Sequence, residues 1–252
     1  MMIHYHGGPI TPDTCAIKAW RARHAFISFV NAGQLGLAAE ICQSFAIDNG
    51  AFSAWKRAGK NKIEWADYYA FVERWKNHPG FDFAIIPDVI DGGAVENDAL
   101  LEEWPHGKFF GVPVWHMNES DDRFIRLCHE YPRVAIGSCG EYDVRRPMLA
   151  VTRMKDIIRH IVDVHGQPIT KLHGLRMLNP EIFTKLPLSS ADSTNVAQNI
   201  GKDCNWKGTY QPQSKETRAS ILVERIESAN STGALIYCEQ RDRFSIQLPL
   251  EV

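Results

Sequence analysis

The chain lacks the features that define several large protein classes. No apolar run approaches the ~20 residues that a bilayer-spanning helix needs, and the opening MMIHYHGGPI has no basic segment leading into an apolar one. A membrane span and a secretory leader are therefore not expected. The expected location is the cytosol. Six cysteines (Cys15, Cys42, Cys128, Cys139, Cys204 and Cys238) form no CxxC pair and no dense framework. That spacing excludes a disulfide scaffold and reads as reduced, mostly buried thiols. Nor is there an excess of either charge: 28 basic against 30 acidic residues leave a formal charge of −2. A surface that attracts nucleic acid everywhere is thereby excluded, although a local basic patch is not. Internal repeats and low-complexity linkers are also missing.

What is present fits one folded enzyme-sized domain. Over 252 residues, 44% are hydrophobic and 23% charged, enough to bury a sizeable core without long disorder. Short apolar or β-branched runs recur at 25–30, 44–48, 81–88, 109–115, 133–138 and 171–177, separated by longer amphipathic stretches. Alternation of that kind belongs to a parallel sheet wrapped by helices. With IHYHG at the start and LSSADS at 188–193 the candidate strands number eight, which predicts a single-domain (β/α)8 barrel spanning 1–252.

Apolar stripes at helical spacing predict helices over 63–78 (Ile63, Trp65, Tyr68, Tyr69, Val72, Trp75) and 146–165 (Met148, Val151, Met154, Ile158, Ile161, Val162). Such stripes read as core packing rather than as a cofactor box. Shorter helices are predicted at 95–104, 121–131 and 217–229. The stretch 195–216 reads as one irregular loop carrying Lys202, Trp206, Lys207, Tyr210 and Lys215, and loops of that length in a compact domain are usually functional.

Barrel active sites are built where strands end, so polar residues that terminate apolar runs are the first candidates. Four places qualify: Asp48 in IDNGAF, Asp88 in IIPDVIDGG, the turn IGSCGE at 136–141, and Asp192 in SSADST. Three carboxylates at one barrel mouth suit glycosyl transfer, in which one attacks the anomeric carbon and another manages the leaving group's proton. Each taken alone serves equally well as a helix cap.

These residues also carry a resemblance. IDNGAF looks like the D-S-G-G-[YF] motif of the tRNA-guanine transglycosylase superfamily. IGSCGE looks like its G-G-L-A-x-G-E turn, and SSADST like the strand end bearing its nucleophilic aspartate. The motifs occur in the same order, over residues 44–195. IGSCG, HGLRM and the short chain resemble more closely the phage and bacterial DpdA-like enzymes that exchange guanine for a 7-deazaguanine, preQ0-like, in DNA. The resemblance implies Asp192 as nucleophile and Asp48 as acid/base. It implies that Phe52 stacks on the purine and that Asp88 accepts from its amide and amine edge. Ser138, Cys139, Gly140 and Glu141 would form the turn whose backbone meets the exocyclic oxygen, with His173, Gly174 and Leu175 lining the pocket. It requires no metal and no organic cofactor.

Independent chemistry is consistent with those roles, because a guanine edge offers N1–H and an amine to a carboxylate acceptor, and unpaired polar groups would reject a wrong base. Asn49 and Ala51 depart from the motif's serine and second glycine. The family's C-x-C-x2-C zinc cluster with a downstream histidine has no counterpart near the C-terminus, which weakens tRNA as substrate and favours DNA. A target base must then be flipped out or single-stranded, with phosphates gripped by basic groups. Arg145, Arg146, Arg153, Lys155, Lys202 and Lys207 are candidates for that grip, and Trp206 and Tyr210 for stacking. A solvated helix face accounts equally for 145–155.

Other readings stay open at this stage. His4 and His6 on the first strand, with His116, His173 and Asp192 on later ones, mimic a metal-dependent amidohydrolase. A guanine transglycosylase acting on tRNA, a barrel that binds a purine or nucleic acid without turnover, a homodimer, and a subunit of a larger modification complex are further possibilities.

Overall fold

The computed structural model describes residues 1–53, 64–138, 142–201 and 211–236. Nine parallel strands form one sheet, with helices between most of them. They are β1 (Ile3–Gly7), β2 (His24–Ser28), β3 (Ser44–Asp48), β4 (Phe81–Ile85), β5 (Gly111–Val112), β6 (Val114–His116), β7 (Arg133–Gly137), β8 (Lys171–Gly174) and β9 (Ser190–Ser193). Their spatial order is β5-β4-β3-β2-β1-β9-β8-β7-β6. The two edge strands are thus consecutive in sequence, separated only by Pro113, whose missing N–H interrupts the ladder. The edges therefore meet, and the sheet rolls into a nearly closed barrel.

Strand alternation divides the core in two. Phe45, Ile47, Ala84, Val134, Ile136, Leu172 and Ala191 face outward into the helical layer. Tyr5, Phe26, Ala46, Phe83, Ile85, Val112, Val114 and Ala135 fill the barrel interior. Burying each large apolar side chain contributes about 1.5–3 kcal/mol. Gly111 is required where it stands, because a Cβ there would lie 2.2 Å from the Trp104 indole nitrogen.

The outer helices are α1 (Asp13–Trp20), α2 (Leu35–Ile41), α3 (Ala66–Trp75), α4 (Ala94–Glu103), α5 (Gly107–Phe110), α6 (Asp121–Glu130), α7 (Pro147–Ile158), α8 (Pro180–Phe183), α9 (Asn195–Asn199) and α10 (Lys215–Glu227). Their ends follow from local chemistry. Ser120 and Ser214 cap α6 and α10 by accepting from the N–H of Arg123 and Thr217, and Pro147 opens α7 at a position where no N–H is needed.

Three expectations are corrected. The helix expected over 146–165 is shorter: α7 ends at Ile158 and passes through a 3-10 turn, Arg159–Ile161. The Asp163 carboxylate then accepts from the N–H groups of His165 and Gln167, turning the chain. Met148, placed on the core stripe, is 64% exposed, because the buried arc of α7 runs through Ala150, Val151, Met154, Ile157 and Ile158 and leaves it outside. The irregular stretch expected from 195 begins instead with a helix, α9. Ile63 of the other stripe lies outside the described residues, while Tyr68, Phe71 and Val72 of α3 are buried. Cys15 and Cys128 are buried and Cys42 partly buried, all three unpaired. Cys139, Cys204 and Cys238 lie outside the described residues. Among the described residues no helix is long and apolar enough to cross a membrane.

Candidate functional site

Asp48 closes β3, Asp88 follows β4 by three residues, His116 closes β6, and Asp192 lies in β9. All four occupy the carboxyl-terminal side of the sheet. Asp48 shares the inward face of Ala46, two residues before it, and Asp192 lies opposite in sense to the outward Ala191.

Asp48 is partly buried. Gly50 donates its N–H to Asp48 Oδ2 at 3.1 Å, in a turn whose φ of +79° suits glycine; a Cβ at Gly50 would also lie 2.8 Å from Val30. Desolvation, then the charges of Asp192 and Asp88, push the Asp48 carboxyl up to about 7. It therefore exchanges its proton near neutrality, as an acid/base group must.

Asp88 is held from two sides. Asn49 Nδ2 donates to its Oδ1 at 2.8 Å and to the Ile86 carbonyl at 2.9 Å, while His116 Nε2 lies 3.0 Å from its Oδ2. Asn49 Oδ1 in turn accepts from Ala51 N–H. Each Asp88 oxygen retains a lone pair that could face a ligand. Burial alone would lower the His116 pKa, but the hydrogen bond and charge of Asp88, with Glu119, outweigh it and the net shift is upward. The main-chain N–H of His116 donates to Glu119 Oε2, which also accepts from Arg123.

Asp192 is 5% exposed. Its Oδ1 accepts from the main-chain N–H of Arg176 at 2.8 Å and lies 3.4 Å from His173 Nε2. Arg176 adopts φ +61°, a left-handed conformation unusual for a residue with a side chain, and its guanidinium lies over the Phe52 ring at 4.2 Å. Phe52 is 39% exposed, so a flat group could share that ring.

Of the remaining candidates, His173 and Leu175 face the barrel interior. Gly174 faces the opposite way, against Met177 and Leu188. Ser138 directly follows β7; Cys139, Gly140 and Glu141 lie outside the described residues, as do Lys202, Trp206, Lys207 and Tyr210. Arg145 is engaged by Asp143 at 2.7 and 2.9 Å. Arg153, one candidate for a phosphate grip, is engaged within the fold: it bonds Asp121 and the Met117 carbonyl and stacks on Trp115. Arg146 caps α7 with its backbone, its carbonyl accepting from Ala150.

The structure does not bring His4 and His6 to His173 and Asp192. Their neighbour Tyr5 faces the interior. His4 Nε2 meets the Ala229 carbonyl at 3.0 Å and His6 Nε2 meets Glu227 Oε1 at 2.9 Å, both at the helical layer. Among the described residues no group of three or more His, Cys, Asp or Glu side chains is arranged to hold a metal ion.

Three contributors escaped sequence reasoning. Asn49 registered only as a departure from a motif, yet it holds Asp88. His116 was visible only as a metal-ligand candidate. Arg176 acts through its main-chain N–H, and its place in HGLRM next to the pocket residues was the one available signal.

Compared with models of known families, with curated proteins and with solved structures, the chain matches none.

Proposed function

We propose that the chain is an eight-stranded β/α-barrel transglycosylase that replaces guanine in DNA with a 7-deazaguanine, through a covalent ester between Asp192 and the sugar. Counting β5 and β6 as one strand interrupted at Pro113 gives the eightfold barrel. The observation that carries the reading is the crowding of Asp48, Asp88 and Asp192 at one mouth, where among the described residues no lysine or arginine side chain pairs with any of them. A carboxyl that keeps its proton to near neutrality beside two further carboxylates suits paired acid and nucleophile roles.

In this mechanism an Asp192 oxygen bonds to C1′ as the C1′–N9 bond breaks, and guanine leaves with a proton from Asp48. The N9 of the 7-deazaguanine then attacks C1′, the ester breaks, and the N9 proton passes to Asp48. Two inversions give net retention. Asp88, fixed by Asn49 and His116, accepts from the donor edge of the base, and Phe52 offers its face. DNA is favoured over tRNA because the zinc-cluster motif is missing from the sequence. Its target nucleotide must be flipped out or single-stranded.

The test supplies DNA and tRNA, each carrying labelled guanine, together with 7-deazaguanines, and analyses the nucleosides. Label should leave DNA in the presence of the wild type and not of Asp192→Ala. Loss from neither polymer, with the variant indistinguishable from wild type, rejects the proposal.

A further inference from the structure

Building on the transglycosylase reading, we infer that Asp192 attacks through Oδ2, and that His173 is a positioning residue which, with the Arg176 main-chain N–H, cradles Oδ1. The two oxygens of Asp192 differ. Oδ1 receives the Arg176 N–H at 2.8 Å and faces His173 Nε2 at 3.4 Å. Oδ2 accepts a hydrogen bond from none of the described residues. A carboxylate held by one oxygen cannot rotate freely, so the lone pairs of the other keep a fixed aim.

The proton on His173 is set by its neighbours. An ionised carboxylate only accepts, so the ring nitrogen facing it must carry the hydrogen. That nitrogen is Nε2, which has no other partner. Nδ1 must then accept, and the Ser190 hydroxyl, 2.8 Å away, donates to it. Burial lowers the His173 pKa, which keeps the ring neutral with a single N–H. The rings of Tyr5, Phe26 and Phe83 surround it with centroids 5.9, 5.4 and 5.2 Å away, so the orientation is fixed by packing. A separation of 3.4 Å is long for a hydrogen bond, and such contacts often tighten when substrate binds.

The cradle matters because charge moves through it. As Oδ2 bonds to C1′ and C1′–N9 breaks, Oδ1 becomes the ester carbonyl and loses negative charge. When the incoming base breaks the C1′–Oδ2 bond, that charge returns to a buried carboxylate, 5% exposed, whose Oδ1 already faces two donors. His173 thus moves from lining a base pocket to orienting the nucleophile. The left-handed φ of Arg176 fits the same role, since it turns a main-chain N–H onto Oδ1.

Two measurements test this together. Nitrogen-resolved NMR of wild-type protein labelled at histidine reports the His173 tautomer, and exchange kinetics compare His173→Phe, which removes both ring nitrogens, with His173→Gln, which retains a donor. The Nε2–H tautomer is expected. His173→Phe should lower kcat on the order of 10- to 100-fold with KM for the 7-deazaguanine unchanged, and His173→Gln should recover most of the loss. An Nδ1–H tautomer, or wild-type kcat in a folded His173→Phe protein, overturns the inference. The Nε2–H tautomer in a protein that exchanges no base supports the cradle and counts against the transglycosylase reading instead.

Discussion

The two ends of the barrel interior treat their charges differently. At the amino-terminal end Asp82 receives the Tyr5 hydroxyl and the Arg133 guanidinium, the latter at 3.1 Å, and Arg133 also lies over the Phe83 ring at 4.2 Å. One carboxylate there meets one cation and one hydroxyl, and the end is a plug. At the carboxyl-terminal end three carboxylates crowd together, braced by Asn49, His116, His173 and backbone N–H groups, and among the described residues by no lysine or arginine. The first arrangement favours the folded state. The second costs stability and raises the proton affinity of Asp48, as the proposed acid/base role requires. In (β/α)8 barrels, the architecture proposed for this chain, sites are built at the carboxyl-terminal face and the opposite face serves stability.

Substitutions at the two ends should therefore separate activity from stability. The largest effect is expected from Asp48→Asn, which should reduce base exchange on the order of 10³-fold, about 4 kcal/mol. The sign of its stability effect is opposite. Folding raises the Asp48 pKa from 3.8 to about 7, so the folded state binds the proton more tightly. The stability contribution is greatest below the unfolded value and is lost as pH rises toward 7. Asp48→Asn should remove that slope and be more stable than wild type at pH 8, by ~1–3 kcal/mol after allowing for the solvent that reaches a partly buried carboxyl. Urea melts at pH 5 and pH 8 check this. In the proposed mechanism guanine leaves with the proton of Asp48, so wild-type kcat/KM should fall as pH rises past about 7.

Next in size is Arg133→Ala. It should cost ~2–3 kcal/mol, below the usual figure for a buried pair because Asp82 is 25% exposed, with activity per folded molecule retained. Tyr5→Phe should cost ~1–2 kcal/mol by the same melts, through the hydroxyl that Asp82 loses. The smallest change is expected from Arg176→Gly. Glycine keeps the N–H on Asp192 and tolerates φ +61°, so stability should stay within about 1 kcal/mol. An Arg133→Ala protein that is stable but inactive would erase the contrast between the ends.

Much of this barrel is legible in the sequence because its strands are buried on both faces and read as apolar runs at regular spacing. The positions of Asp48 and Asp192 at the carboxyl-terminal side of the sheet are legible by the same logic, as polar residues where such runs stop. The break at Pro113 was not read from FFGVPVW, since apolarity alone does not show which backbone groups a ladder uses. Helix ends set by Asp163 and Ser214 depend on side chain to backbone bonds that leave the apolar period unchanged. Contacts made by the backbone, as at Arg176, leave almost no trace in residue identity. The partners of a cation such as Arg153 are decided by packing and leave no trace in the sequence: in the fold it spans Asp121, Met117 and Trp115.

The central claim is that Asp192 forms a bond to the sugar. Incubating the protein with a guanine-containing oligonucleotide, quenching in acid and mapping the modified peptide by mass spectrometry tests it directly. An adduct is expected on Asp192 that disappears when a 7-deazaguanine is added and is not formed by Asp192→Asn. An adduct on another residue, or none under conditions in which guanine is released, would contradict it.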